Sequence, residues 1–216
     1  LWFGQVRKST LASGGERTGG GAAQIATQEI PSIITRRSRK VLIELNTYIA
    51  KLHGPIVVFG AGGFIGANMV RTLLDARKDC FAVTHQKYVP WRLVDIPAAH
   101  LLHADVTDRD SLTTLFERYG FKTIFDFAAF GAYSRQDDID QIYQTNLLGL
   151  VNLLEVASAD GFAAFLHAGS SSEYGLNSSA PKEDDALIPN SHYAVTKVAA
   201  AHLLRYYGAV KKIPVM

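Results

Sequence analysis

The 216-residue chain is 48% hydrophobic and 19% charged, the balance of a globular α/β protein. A net charge of +2 is too small to call for a nucleic acid or a membrane surface as partner. No apolar run reaches the roughly 20 residues of a membrane span, and the single cysteine, Cys80, excludes a disulfide within the chain and points to a reducing, cytoplasmic setting.

Residues 1–54 read as an N-terminal extension. The stretch 12–24 is glycine-rich and aperiodic, and the basic run RRSRK (36–40) lacks the apolar core of a secretory signal. Both read as solvated tail, and 41–52 as a short amphipathic helix leading into the domain. The chain begins with Leu, as expected of a piece of a longer protein. No function is expected of this extension.

From 55 onward, short apolar runs alternate with helical patterns. Strands are predicted at 55–59, 80–84, 99–104, 123–129 and 162–169, and 211–216 reads as the first half of a sixth. Helices are predicted at about 64–77, 108–120, 138–160 and 192–208. The segment 108–120 opens on acids and ends on glycine, as a helix should. Strands separated by helices make βαβ units, hence an α/β doubly wound parallel sheet with helices on both faces. Ligands of such a fold bind at the carboxyl ends of the strands.

At the end of the first strand, VVFGAGGFIGANMV (57–70) places Gly60, Gly63 and Gly66 between a strand and a helix. The first glycine turns the chain, the second admits a pyrophosphate to the backbone, and the third lets helix and sheet pack closely. The helix start then offers its N–H groups to the phosphates. A dinucleotide site is the expectation.

The spacing Gly60-x-x-Gly63-x-x-Gly66 resembles the TGxxGxxG motif of short-chain dehydrogenases/reductases, and GGFIG, with Phe64 and Ile65, resembles their extended branch, the NAD-dependent epimerase/dehydratase family. Phe59 departs from the family's Thr or Gly at the first position. The likeness runs through 55–216. HADVTD (103–108) matches the segment that places Asp105 and Val106 beside the adenine. FDFAA (125–129) matches the strand whose small residues, Ala128 and Ala129, let the cofactor lie across it. QTNLLGLVNLLEVA (144–157) supplies the family's Asn as Asn146, FLHAGSSSEYG (165–175) matches its serine segment, and YAVTK (193–197) is its YxxxK signature. The resemblance implies a Rossmann-type domain, incomplete before a C-terminal substrate domain, and a homodimer packed through 138–160 and 192–208.

Tyr193 and Lys197 stand four apart, on one face of a helix. A free phenol titrates at about pH 10 and is a poor base at neutrality, but an adjacent ammonium favours the phenolate. The family likeness makes Tyr193 the acid/base, Lys197 its tuning partner and a holder of the cofactor's ribose, and Ser170 the residue that orients the reacting oxygen, with Ser171 the alternative register. Dehydratases of the family carry an acidic pair directly after this position, where this chain has Ser171 and Ser172, with Glu173 one place late. That favours an epimerase or oxidoreductase acting on a nucleotide-sugar-like substrate. A dehydratase and a dinucleotide-sensing module without turnover stay as alternatives. After the second strand no acid awaits the ribose, whereas His85, Lys87 and Arg92 suit a 2′-phosphate, so the cofactor is NAD or NADP with a lean to NADP. His100, His103, His167 and His192 lack clustered acids or cysteines and read as packing or surface residues, with no metal site.

Overall fold

A computed structural model describes residues 44–216 apart from Ser134 and Ser178. The glycine-rich and basic stretches of the extension lie outside the described residues.

Five strands form one parallel sheet: β1 (Ile56–Phe59), β2 (Cys80–Thr84), β3 (Leu101–His103), β4 (Thr123–Asp126) and β5 (Ala164–His167), in the order β3-β2-β1-β4-β5. The helices are α1 (44–49), α2 (Phe64–Ala76), α3 (Arg109–Tyr119), α4 (Ile139–Tyr143), α5 (Gly149–Asp160) and α6 (His192–Ala209). This is a Rossmann-type doubly wound domain. β1 is central and every residue of IVVF is buried, as an unbroken apolar run requires when helices cover both faces. Its side chains alternate. Val57 and Phe59 join the core under α3, α5 and α6, while Ile56 and Val58 join the core under α2. Local chemistry sets the ends of α3: Asp108 accepts from the Ser111 N–H at 3.1 Å, and Gly120 closes the helix at φ 59°.

β2 spans its whole predicted run, and the other strands are shorter than theirs, because pairing ends where the chain turns out over the sheet. The run at 99–104 begins with a 3-10 turn, Ala98–His100, before β3. The last residues lie beside β5, where the Phe165 N–H donates to Pro214 O (2.9 Å) and the Met216 N–H to Phe165 O (2.8 Å). That is the place expected of a sixth strand. The helix predicted at 138–160 is interrupted by a π-helical turn, Gln144–Leu148, between α4 and α5. Such π turns are rare and occur mostly as single turns within α-helices, frequently at functional sites, and this one carries Asn146, described below.

Packing begins ahead of residue 54. Ile49 is buried in the α2-side core. Arg77, paired with Asp79 through Nε (2.8 Å) and Nη2 (2.6 Å), donates through Nη1 to the carbonyls of Ile49 (3.2 Å) and Leu52. Thr123 Oγ1 donates to His53 O at 2.6 Å. Among the described residues no helix is long and apolar enough to cross a membrane.

Cys80 is 1% exposed, and burial is the largest cause pushing its thiol up to about 11. Thiolate is the reactive form. A thiol reagent at pH 8 is therefore expected to label the protein only after denaturant is added; labelling of the native protein would contradict this packing.

Candidate functional site

The strand order reverses between β1 and β4, and the crevice there lies at the strands' carboxyl ends. A groove of about 920 Å³ opens at this place. Its walls include Gly60 and Gly63 after β1, Asp105 and Val106 after β3, and Ala128 and Ala129 after β4. Six of the expected cofactor residues are thus brought together from three loops.

The glycine turn is built for close approach. Gly60 has φ 67°, and a Cβ there would lie 2.5 Å from the Phe127 carbonyl carbon. At Gly66 a Cβ would meet the Ala61 Cα at 2.8 Å and Gly60 O closer still. α2 starts at Phe64 with Gly63 as its cap, no side chain bonds to its leading N–H groups, and its first turn holds no acid. Those amides are left for an anion. Phe64 and Ile65 are exposed beside them, and Gly66 is buried. Asp105 Oδ1 accepts from the Thr107 N–H (2.9 Å) and hydroxyl (2.8 Å), which fixes the carboxylate next to Val106. The arrangement fits a dinucleotide.

Of the three bases after β2, His85 alone lines this groove. Lys87 borders a separate cleft of about 350 Å³ beside β3. Arg92 lies over the Trp91 ring, 4.2 Å from its centroid, and its carbonyl accepts from Arg71.

Asn146 is 2% exposed and does not line the groove. Its Oδ1 accepts from the Phe130 N–H (2.8 Å), and its Nδ2 donates to Phe130 O (2.8 Å) and Thr196 Oγ1 (3.0 Å). Its amide is spent on joining the π turn to the β4 loop and to α6. Asn146→Ala would leave the Phe130 peptide groups without these partners, and is expected to cost about 2 kcal/mol in urea unfolding; an unchanged midpoint would show the knot to be idle.

Ser191 caps α6 by accepting from the Ala194 N–H (3.1 Å), and Tyr193 follows in the first turn, half-buried. One turn on, Lys197 is 4% exposed, with Nζ 6.0 Å from the Tyr193 ring centroid. Nζ donates to Ala168 O at 2.7 Å, at the end of β5 and two residues before Ser170. Burial pushes the Lys197 ammonium below its ordinary range, and the charges of Asp126 and Glu173 oppose that fall. Ser170 is half-buried and opens the 3-10 turn Ser171–Tyr174. Its Oγ accepts from the Ser172 N–H (3.2 Å), and its own N–H donates to Glu173 Oε1 (2.7 Å). α6 packs against this turn. The three candidates therefore gather about the end of β5, and none of them is in the groove's lining.

Asp126 and His167 are also placed here, and the sequence reading gave neither a part in the site. Their shared signal is a lone polar residue at the carboxyl end of an apolar strand, a rare place for an unpaired charge.

A model of the NAD dependent epimerase/dehydratase family matches residues 56–216. The chain belongs to this family. Curated relatives include UDP-glucuronate 4-epimerase 2 of Arabidopsis thaliana, 31% identical over 168 residues (72% of this chain, 38% of the relative). UDP-glucose 4-epimerase of Lacticaseibacillus casei is 27% identical over 154 residues (70% and 46%). Among solved structures, UDP-glucuronic acid 4-epimerase from Bacillus cereus, in complex with NAD, aligns with a TM-score of 0.62 at 27% identity (74% of this chain, 53% of that one). L-threonine dehydrogenase from Clostridium difficile gives 0.64 at 26% (72% and 49%). The family chain thus spans about half or less of the length of these relatives. As a member of an NAD-dependent family, it finds no support there for a lean to NADP.

Proposed function

We propose that this chain is the cofactor half of an NAD-dependent enzyme that epimerises a nucleotide-activated sugar. The observation that carries the reading is the burial of Lys197, one turn after Tyr193, with its Nζ bonded at the end of β5 to Ala168 O, two residues before Ser170. Gly60, Gly63 and Gly66 with the start of α2 would hold the pyrophosphate, Asp105 and Val106 would meet the adenine, and Ala128 and Ala129 would leave room for the cofactor across the sheet. When bound, NAD supplies a reversible hydride acceptor, which lets a sugar carbon be oxidised and then reduced on its other face.

The chain's own residues manage the proton. Tyr193 takes it from the substrate hydroxyl and returns it to the same oxygen. Lys197 favours the phenolate by its charge and reaches the ribose hydroxyls, and Ser170 orients the reacting oxygen. Glu173 is tied to the Ser170 N–H, which speaks against its use as the base of a dehydratase. That His85 alone of the three bases faces the groove favours NAD over NADP. The reading includes a homodimer through 138–160 and 192–208, where Ile139, Leu148, Val195 and Tyr206 stand exposed.

The test is to incubate the full-length protein with NAD and UDP-glucose or UDP-glucuronate, and to follow the 4-epimer by proton NMR. Epimer is expected. Binding of NAD with neither sugar converted, nor any hydride passed to or from it, would favour the sensing module.

A further inference from the structure

Asp126 ends β4 and His167 ends β5, and the parallel register sets the two directly opposite each other. Their side chains are 3% and 4% exposed, and His167 Nδ1 lies 2.8 Å from Asp126 Oδ2. On its other side, His167 Nε2 lies 3.3 Å from Lys197 Nζ. The three groups form one buried chain from carboxylate through imidazole to ammonium.

The hydrogen-bond inventory fixes the direction of this chain. An ammonium has donors and no acceptor, so His167 Nε2 must accept from Lys197. An ionised carboxylate only accepts, so Nδ1 must carry the proton and donate to Asp126. With Asp126 a carboxylate and Lys197 an ammonium, the imidazole form that satisfies both neighbours carries its proton on Nδ1. Asp126 is itself anchored, since its Oδ1 accepts from the Ala128 N–H at 3.0 Å. Burying an ammonium is costly unless it is paired.

We propose that Asp126 and His167 are positioning residues that hold Lys197 as an ammonium, with Nζ fixed at the end of β5, so that it can serve Tyr193. The proposal rests on the acid/base reading of Tyr193 and Lys197 for its consequence, and on geometry alone for the chain itself. The titratable groups facing Lys197 are Asp126 from β4, His167 from β5, Glu173 from the 3-10 turn and Tyr193 from its own helix. Burial lowers the lysine, and Asp126 is the larger of the two charges that raise it. Removing that support lowers the pH at which Lys197 loses its proton, so the alkaline limb of activity moves to lower pH.

Two substitutions separate the parts. Asp126→Asn keeps the shape but puts an amide donor against Nδ1, which turns the imidazole over and presents Nε2–H to the ammonium. His167→Asn keeps an amide donor for Asp126 at the Nδ1 position but, being shorter, has no atom at the Nε2 position, so the acceptor facing Lys197 is withdrawn. In the full-length protein carrying 13C at lysine Cε, the Lys197 signal is the one lost in Lys197→Arg. Each variant is expected to lower its titration midpoint by about one pH unit, with the alkaline limb of turnover following and NADH still bound at neutral pH. Unmoved midpoints in folded variants would overturn the proposal.

The wild-type protein gives a second test that needs no variant. Long-range 1H–15N NMR should find the His167 proton on Nδ1, and a proton on Nε2 would overturn the proposal. Failure of the functional reading looks different: turnover would survive Tyr193→Phe while the Lys197 midpoint still answered to Asp126.

Discussion

Tyr193→Phe in the full-length protein is expected to lower turnover by about 10²–10⁴-fold, the usual worth of a positioned acid/base, while NADH binding stays within a few-fold. The substitution removes one oxygen and keeps the ring that lies beside Lys197 in the first turn of α6. The Ser191 cap is unaffected, because it bonds the Ala194 N–H. Steady-state rates and a fluorescence titration with NADH, made on the same preparation, separate chemistry from binding. A variant that turns over at the wild-type rate would remove Tyr193 from the mechanism. A variant that loses turnover and NADH together would mean that the hydroxyl holds the cofactor.

Gly66→Ala has the second large effect, on binding. The new methyl would run into the Gly60–Ala61 backbone: Ala61 Cα at 2.8 Å, Gly60 C at 2.9 Å and Gly60 O nearer still. None of these is a side-chain tip that can swing away, so the start of α2 must move off the turn. A displacement on the order of 1 Å costs about 100-fold where geometry is tight, and NADH affinity is expected to fall by about that much. Gly120→Ala is the control. Gly120 also has positive φ, at 59°, but a Cβ there meets nothing within 4 Å. It is expected to cost about 1 kcal/mol of stability and no affinity. Equal losses of affinity in both variants would show that the glycine turn matters only through overall stability.

The sheet was legible because buried parallel strands are short apolar runs, and β1, β2, β4 and β5 each lie within such a run. The glycine turn and the Tyr193–Lys197 spacing were legible because each lies within a few residues of sequence. What escaped depends on register. Asp126 and His167 are 41 residues apart, and nothing local says that β4 and β5 place them opposite each other. The contacts of Asn146 escaped for a related reason: its amide reaches Phe130 and Thr196, far off in sequence, and they accompany the π turn in what periodicity showed as one helix. The bases after β2 were misleading because composition does not record direction: His85 faces the groove, Lys87 a different cleft, and Arg92 lies on Trp91.

Asn146 also has a mechanical meaning. Through Phe130 it holds the loop that walls the groove, and through Thr196 it holds the helix that carries Tyr193 and Lys197. One side chain thus ties the wall of the groove directly to the first turns of α6. On the proposed reading, seating the cofactor and aligning Tyr193 with Lys197 would then draw on the same rivet.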